Sequence, residues 1–187
     1  MNRDDGTRRV LGLVGWSGSG KTTLLAALLP RLRAGGRRVS TIKHAHHGFD
    51  LDQPGKDSFR HRQAGAVEVM VASGTRWALT HELRGEPEPA LPALLARMAA
   101  VDLVLVEGFK TEPFPKIEVH RPTLARPPIW PGQPDVIAVA TDAPVLMAPC
   151  DRPVLPLNDP DAVAAWIVRF LETAMPPVAH HAGGFGR

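Results

Sequence analysis

Short apolar runs alternate along the chain with segments whose apolar residues recur at helical spacing. Residues 10–14 and 101–106 are the clearest apolar runs, and such runs are typical of strands buried on both faces. Residues 24–32 carry leucines on one helical face. Strands that alternate with helices predict an α/β fold with a mainly parallel, doubly wound sheet. Predicted strands cover residues 10–14, 39–42, 67–72, 77–80, 101–106, 116–120, 136–140 and 154–157, and predicted helices cover residues 21–33, 58–64, 91–98 and 160–171.

Glycine and proline mark where these elements end. Residues 35–36 are Gly-Gly, which predicts the end of the first helix, and Pro30 inside that helix is expected to kink or shorten it. Residues 122–134 contain five prolines and are predicted to form a loop. Residues 176–187 are rich in Pro, Gly, Ala and His, which predicts a disordered tail. We therefore expect one nucleotide-binding domain over residues 1–175.

The composition is that of a soluble globular protein. The chain has 187 residues, of which 44% are hydrophobic and 22% are charged. Its net charge of +3 is too small to predict a nucleic-acid partner. The single cysteine, Cys150, excludes an internal disulfide and fits a reducing compartment. No apolar run resembles a secretory segment or a membrane span, so a cytoplasmic protein without a membrane partner is expected.

A phosphate-binding loop follows the first predicted strand. Residues 15–22 fit the pattern G-x-x-x-x-G-K-[ST] at every fixed position, between a strand and a helix as the motif requires. Glycines let backbone N–H groups approach phosphate oxygens, Lys21 would reach the β- and γ-phosphates, and the Thr22 hydroxyl would bind Mg²⁺. The loop predicts a three-layer P-loop NTPase fold. The residues expected to bind phosphate are Gly15, Trp16, Ser17, Gly18, Ser19, Gly20, Lys21, Thr22 and Thr23.

Glu107 ends the second clear apolar strand and is the candidate for the magnesium end of the site. A phosphate loop needs an acidic residue at a neighbouring strand end, where Asp is the usual occupant. Because Glu is longer, Glu107 would act on Mg²⁺ through water or position the attacking water. Lys21 and Glu107 are therefore the predicted catalytic residues, and an ordinary strand-end carboxylate is the alternative for Glu107.

The base-reading residue is less clearly marked. Guanine presents a pair of donors that one carboxylate can accept, but the Asn/Thr-Lys-x-Asp motif of many GTPases is absent. Asp142, directly after a predicted strand, is the first candidate, and Asp159 is the second. Either could instead stabilise a turn or cap a helix.

Residues 43–57 form a polar segment with no clear period and three of the eight histidines. The segment follows the second predicted strand, so its start should emerge at the same sheet edge as the phosphate loop. Lys43, His46 and His47 are predicted to meet phosphate charge, and Asp57 is predicted to contact Mg²⁺ directly or through water. A transition-metal site at His44, His46 and His47 is the alternative.

Together these stretches resemble the molybdopterin-guanine dinucleotide biosynthesis adapter protein B family. The resemblance implies a GTP-binding protein with weak, Mg²⁺-dependent GTPase activity that works as a homodimer. It also implies a role beside the synthase that attaches GMP to molybdopterin, with molybdopterin itself as a further candidate ligand. By resemblance, residues 15–23 bind phosphate, Glu107 lies at the magnesium end, and residues 43–57 are functional. The resemblance is carried by residues 15–25, 42–47, 54–58, 64–66 and 105–110.

Two other functions are compatible with the sequence. An ATP-dependent small-molecule kinase would use a lid that carries arginines, and Arg121 and Arg126 in the proline-rich loop are candidates for that lid. An NTPase that loads another metalloenzyme would differ from the adapter mainly in its client protein. Nucleotide preference and a phosphorylated-product assay separate the adapter from the kinase.

Overall fold

The computed structural model describes residues 9–45, 48–147 and 149–173. Its eight strands are β1 (Arg9–Val14), β2 (Val39–Lys43), β3 (Glu68–Ala72), β4 (Trp77–His81), β5 (Leu103–Glu107), β6 (Lys116–His120), β7 (Val136–Thr141) and β8 (Val154–Pro156). Its four α-helices are α1 (Lys21–Ala34), α2 (Asp57–Gln63), α3 (Leu91–Ala96) and α4 (Pro160–Thr173). Short 3-10 helices lie at Pro122–Leu124, Trp130–Gly132 and Pro144–Met147.

Six strands form one parallel sheet in the order β2-β5-β1-β6-β7-β8. The two most apolar strands, β1 and β5, are neighbours inside this sheet, as expected for runs without polar positions. Because all six strands are parallel, their carboxyl ends meet at one edge. The phosphate loop follows β1 and Glu107 ends β5 at that edge. The predicted α/β class with a mainly parallel sheet is confirmed.

The first helix passes through Pro30 without ending there. Leu28 and Leu32, on either side of the proline, are fully buried in the main core. Burying a leucine stabilises by about 1.5–3 kcal/mol, whereas an interior proline costs about 3 kcal/mol. The two buried leucines offset the proline. The helix continues to Ala34, so the expected shortening is wrong, and the other expectation, a kink, stays a prediction. The helix ends at the Gly-Gly pair, where Gly36 has the left-handed φ of 76°.

The chain divides into two compact units, one of residues 1–44 with 99–187 and the other of residues 45–98. The second unit contains β3 and β4, which pair antiparallel in a sheet of their own instead of joining the parallel one. Only four residues, 73–76, connect them, and a connection this short permits antiparallel pairing alone. The expectation of a single domain over residues 1–175 stays a prediction, and the expected tail from 176 lies outside the described residues.

Arg62 on α2 holds the second unit together through carboxylates. Its guanidinium is paired with Asp50 at 2.7 Å, with Glu82 at 3.3 Å and with Asp52 at 3.7 Å. The side chain is only 13% exposed, so these pairs are better shielded from solvent than a surface ion pair. No helix among the described residues is long and apolar enough to cross a membrane.

Candidate nucleotide-binding site

The phosphate loop takes a conformation that depends on its glycines. Gly15, Gly18 and Gly20 have φ values of 150°, 80° and 97°, which residues with a Cβ rarely adopt. Helix α1 begins at Lys21, and the N–H of Leu24 donates to the Gly20 carbonyl at 2.9 Å. The first N–H groups of a helix have no partner within it, and its dipole is positive at this end. The loop therefore presents backbone donors and a positive end to an anion.

Lys21 lies folded over its own loop. Its Nζ donates to the carbonyls of Gly15 at 3.1 Å and Trp16 at 2.9 Å. Burial lowers the pKa of Lys21; the charge of Glu107 raises it, and the charges of Lys110 and Lys43 lower it further. A bound triphosphate supplies the negative charge that favours the ammonium form.

Thr22 and Glu107 meet where the magnesium site was predicted. The Thr22 hydroxyl donates to Glu107 Oε1 at 2.8 Å, and Lys43 Nζ lies 3.8 Å from the same oxygen. Strand register explains the second contact, since Lys43 on β2 and Glu107 on β5 are directly paired. Hydroxyl and carboxylate oxygens are the hard ligands that Mg²⁺ takes beside nucleotide phosphates. The donor set therefore fits this cation.

The backbone after Glu107 is strained. Gly108 has φ 104°, and a Cβ there would come within 2.7 Å of the His44 Cβ. Phe109 has φ 50°, an unusual value for a residue with a bulky side chain, and its ring stacks on His44 with the centroids 4.5 Å apart. Strain of this kind persists where the surrounding structure imposes it and is concentrated at functional sites. The Glu-Gly-Phe-Lys sequence is thus explained by this turn.

Asp142 is held against the phosphate loop by Arg121, a link that the sequence analysis missed. Arg121 Nη1 is bonded to Asp142 Oδ2, while Arg121 Nε donates to the Ser19 carbonyl at 3.1 Å. His120 on β6 pairs in register with Thr141 on β7. The residues that follow them, Arg121 and Asp142, are therefore neighbours. Asp142 Oδ1 is buried and, among the described residues, has no hydrogen-bond partner. That oxygen remains able to accept a hydrogen bond.

Asp159 has a structural role at the start of α4. Its Oδ1 accepts a hydrogen bond from the N–H of Ala162 at 3.0 Å in the first turn of α4. This is the geometry of a helix N-cap. The alternative given for Asp159 from the sequence, a capping role, is therefore the one that the structure supports.

Comparison with known proteins places the chain in a family. The family model described as "Molybdopterin guanine dinucleotide synthesis protein B" (MobB) matches residues 10–142. The chain belongs to this family. It is 44% identical over 166 residues to the molybdopterin-guanine dinucleotide biosynthesis adapter protein of Escherichia coli (strain K12), with 87% of this chain and 93% of that protein covered. The family resemblance found in the sequence is confirmed.

Two further MobB relatives support the same family assignment. The adapter protein of Haemophilus influenzae is 44% identical over 165 residues, with 87% of this chain and 89% of that protein covered. The crystal structure of a MobB homologue from Bacillus stearothermophilus matches with a TM-score of 0.66 at 30% identity, over 88% of this chain and 98% of that one. The predicted P-loop NTPase-like fold is confirmed by this likeness.

The remaining predicted residues belong to the second unit or lie outside the described residues. Asp57 is the first residue of α2 in the second unit, where its side chain is 88% exposed and lies 3.9 Å from Arg60. His46 and His47 lie outside the described residues. Among the residues that are described, no three His, Cys, Asp or Glu side chains form a metal-binding group. The roles of Asp57, His46 and His47 stay predictions.

Proposed function

We propose that this member of the MobB family binds GTP with Mg²⁺, hydrolyses it slowly, and acts as an adapter in molybdopterin-guanine dinucleotide biosynthesis. The observation that carries the proposal is the 2.8 Å hydrogen bond from Thr22 to Glu107 beside a phosphate loop that contains Lys21. The curated relatives that are 44% identical carry the adapter name. Their name includes the guanine dinucleotide, so the synthase that forms it is the expected protein partner.

The residues of the site have separable tasks in this proposal. Lys21 exchanges its two loop carbonyls for phosphate oxygens, and Thr22 turns its hydroxyl oxygen toward the cation. Mg²⁺, when bound, neutralises phosphate charge and orders water. Glu107 is almost completely buried, so its carboxylate holds a fixed position from which it would orient an attacking water and accept the proton of that water.

Guanine preference is supported by the unpartnered oxygen of Asp142. A carboxylate accepts hydrogen bonds from the N1–H and amino group of guanine, whereas adenine presents an acceptor at N1. A buried acceptor left without a donor is costly, so a site of this kind discriminates against the base that lacks one. Arg121 holds the other oxygen of Asp142 and thereby fixes its direction.

Calorimetric titration of GTP and ATP in the presence of Mg²⁺ tests the nucleotide. The parent protein is expected to bind GTP more tightly, and Asp142→Ala is expected to reduce the ratio of the two affinities. Asp151→Ala, at an exposed carboxylate, is the matched control and should keep the parental ratio. Equal affinity of the parent for GTP and ATP would remove guanine from the proposal.

A homodimer is part of the same proposal, and the second unit offers a surface for it. The β3–β4 hairpin exposes Met70, Trp77 and Leu79 at 62%, 67% and 43%. Met70 and Leu79 are directly opposite in the pairing register, and Trp77 is two residues from Leu79 on the same face. Two-stranded sheets are marginal alone, and their edges favour further pairing. A second copy of the chain is the occupant that we assign to this face.

A further inference from the structure

Two cations lie over the ring of the tryptophan in the phosphate loop. Lys110 Nζ lies 4.9 Å from the centroid of the Trp16 ring, and the Arg126 guanidinium carbon lies 5.5 Å from it. Trp16 Nε1 donates to the Pro127 carbonyl at 2.7 Å, which fixes the ring in its plane. All these groups belong to the first unit. Trp16 is part of the phosphate loop, and Lys110 and Arg126 lie next to it on other segments.

The two segments that carry these cations are anchored by buried groups. The fully buried carboxylate of Glu118 accepts hydrogen bonds from the N–H groups of Ile129 and Trp130 at 2.8 to 3.0 Å, which ties down the loop that carries Arg126. On the other side, Lys110 follows the strained turn at Phe109. Lys116, also fully buried, donates to the Phe114 carbonyl at 2.9 Å and holds the chain that leaves Lys110. The segments that carry Lys110 and Arg126 are therefore both held in place by buried side chains.

The positive charges around the loop divide into those with partners and those without. Lys43 lies against Glu107, and Arg121 is bonded to Asp142. Lys21 serves the triphosphate in the proposed function. Within the part of the chain that the structure describes, Lys110 and Arg126 have no carboxylate at ion-pair distance. The charge of Lys110 contributes to the lowered pKa of Lys21, so Lys110 acts within the electrostatic range of the nucleotide site.

A dinucleotide contains two phosphates joined to each other, one from each half. In the proposed function the protein assists in making such a dinucleotide, so we expect it to work beside an acceptor that ends in a phosphate monoester. Such a monoester carries about 1.5 to 2 negative charges at neutral pH. The two cations without carboxylate partners match that charge, and an arginine fork is suited to two phosphate oxygens at once.

We propose that Trp16, Lys110 and Arg126 form a second anion site, which binds the phosphate monoester of the acceptor beside the bound GTP. The inference rests on the proposed function, since it assumes that the triphosphate occupies the phosphate loop. The site binds and positions its ligand, and the transfer itself belongs to the synthase. Trp16 holds the two cations over its ring and so keeps them close together.

Phosphorus NMR of phenyl phosphate tests this site in the full chain. The protein is first saturated with Mg²⁺ and a non-hydrolysable GTP analogue, so that the phosphate loop is blocked. The monoester signal is separate from the signals of the analogue, and its shift is followed as protein is added. Saturable binding is expected, whereas benzyl alcohol, which lacks the phosphate, should not compete with the monoester.

Charge-removing variants identify the binding groups. Lys110→Gln and Arg126→Gln are each expected to weaken monoester binding about tenfold, as loss of a charge-assisted contact does. Affinity for the GTP analogue, measured by calorimetry, should change less than threefold in Arg126→Gln. Arg169→Gln, at an exposed arginine of α4, is the matched control and should bind the monoester like the parent.

The outcomes separate this inference from the function on which it rests. If the GTP analogue binds but phenyl phosphate does not, the second site is overturned and the GTP-binding proposal stands. Monoester binding that is equal in the parent, Lys110→Gln and Arg126→Gln also overturns it. If the analogue fails to bind at all, the proposed function fails, and monoester binding sensitive to Arg126 in the unloaded protein would still support an anion site.

Discussion

At the scale of single residues, Lys21 is expected to respond to nucleotide through its proton. Its pKa is lowered in the free protein, largely by burial. Between that lowered pKa and the ordinary value of 10.5, the side chain is partly neutral, and a bound triphosphate favours the charged form. Nucleotide binding in this pH window is therefore expected to take up a proton.

Calorimetry in two buffers of different ionisation enthalpy measures that uptake. Lys21→Ala is expected to abolish it and to weaken GTP binding roughly 10- to 100-fold, because a charge-assisted contact is lost. The fold should persist, since the amine serves the ligand and not the core. Arg169→Ala, at an exposed arginine of α4, is the control. Unchanged GTP affinity in Lys21→Ala would remove the phosphate loop from the proposed site.

Glu107 is expected to separate nucleotide binding from hydrolysis. Glu107→Gln keeps the size of the side chain and an oxygen that can accept from Thr22, but it removes the charge that orders Mg²⁺ and its water. We expect GTP affinity to change little and phosphate release to fall at least about tenfold, as for loss of a general base. Glu172→Gln, at an exposed pair with Arg37, should retain parental turnover. Equal turnover in both variants would leave Glu107 a structural carboxylate.

At the scale of elements, Glu118 on β6 is expected to control the order of the proline-rich loop. Its carboxylate accepts from two consecutive N–H groups, those of Ile129 and Trp130, while fully buried. Glu118→Gln weakens both bonds and leaves an amide donor in their place, so unfolding free energy should fall by about 1.5–3 kcal/mol. Hydrogen exchange at residues 129–130 should accelerate, while exchange in α4 stays slow. The exposed Glu86→Gln is the control for a carboxylate outside the core.

The strands and loops of the site also show which features a single sequence can predict. The phosphate loop and the strand that ends in Glu107 were predicted because each is a local pattern, with every residue within one strand or turn. Arg121 was considered only as a lid residue, although it joins Asp142 to the Ser19 carbonyl. That contact depends on β6 and β7 being neighbours, and strand order is not encoded in any one segment. The contact of Lys110 with Trp16 was not predicted for the same reason, since the two residues lie far apart in the chain.

At the scale of the whole molecule, the exposed hairpin face predicts how the chain associates. Met70 and Leu79 are cross-strand partners that are exposed to solvent in the isolated chain. Burying two such side chains stabilises an association by several kcal/mol, at about 1.5–3 kcal/mol each. Leu79→Glu places a carboxylate on this face. Formation of the dimer would bury this charge without a partner, which is unfavourable. The variant is therefore expected to be a monomer at concentrations at which the parent is a dimer.

Light scattering after size-exclusion chromatography measures the mass of each form, and calorimetry with GTP shows whether each remains folded at the nucleotide site. Val145→Glu is the matched control, because Val145 is 87% exposed in the first unit and its change should leave the parental mass. GTP affinity should be unaltered in Leu79→Glu, since the phosphate loop belongs to the first unit and the hairpin to the second. A dimer that survives Leu79→Glu with full GTP binding would assign the interface to another surface.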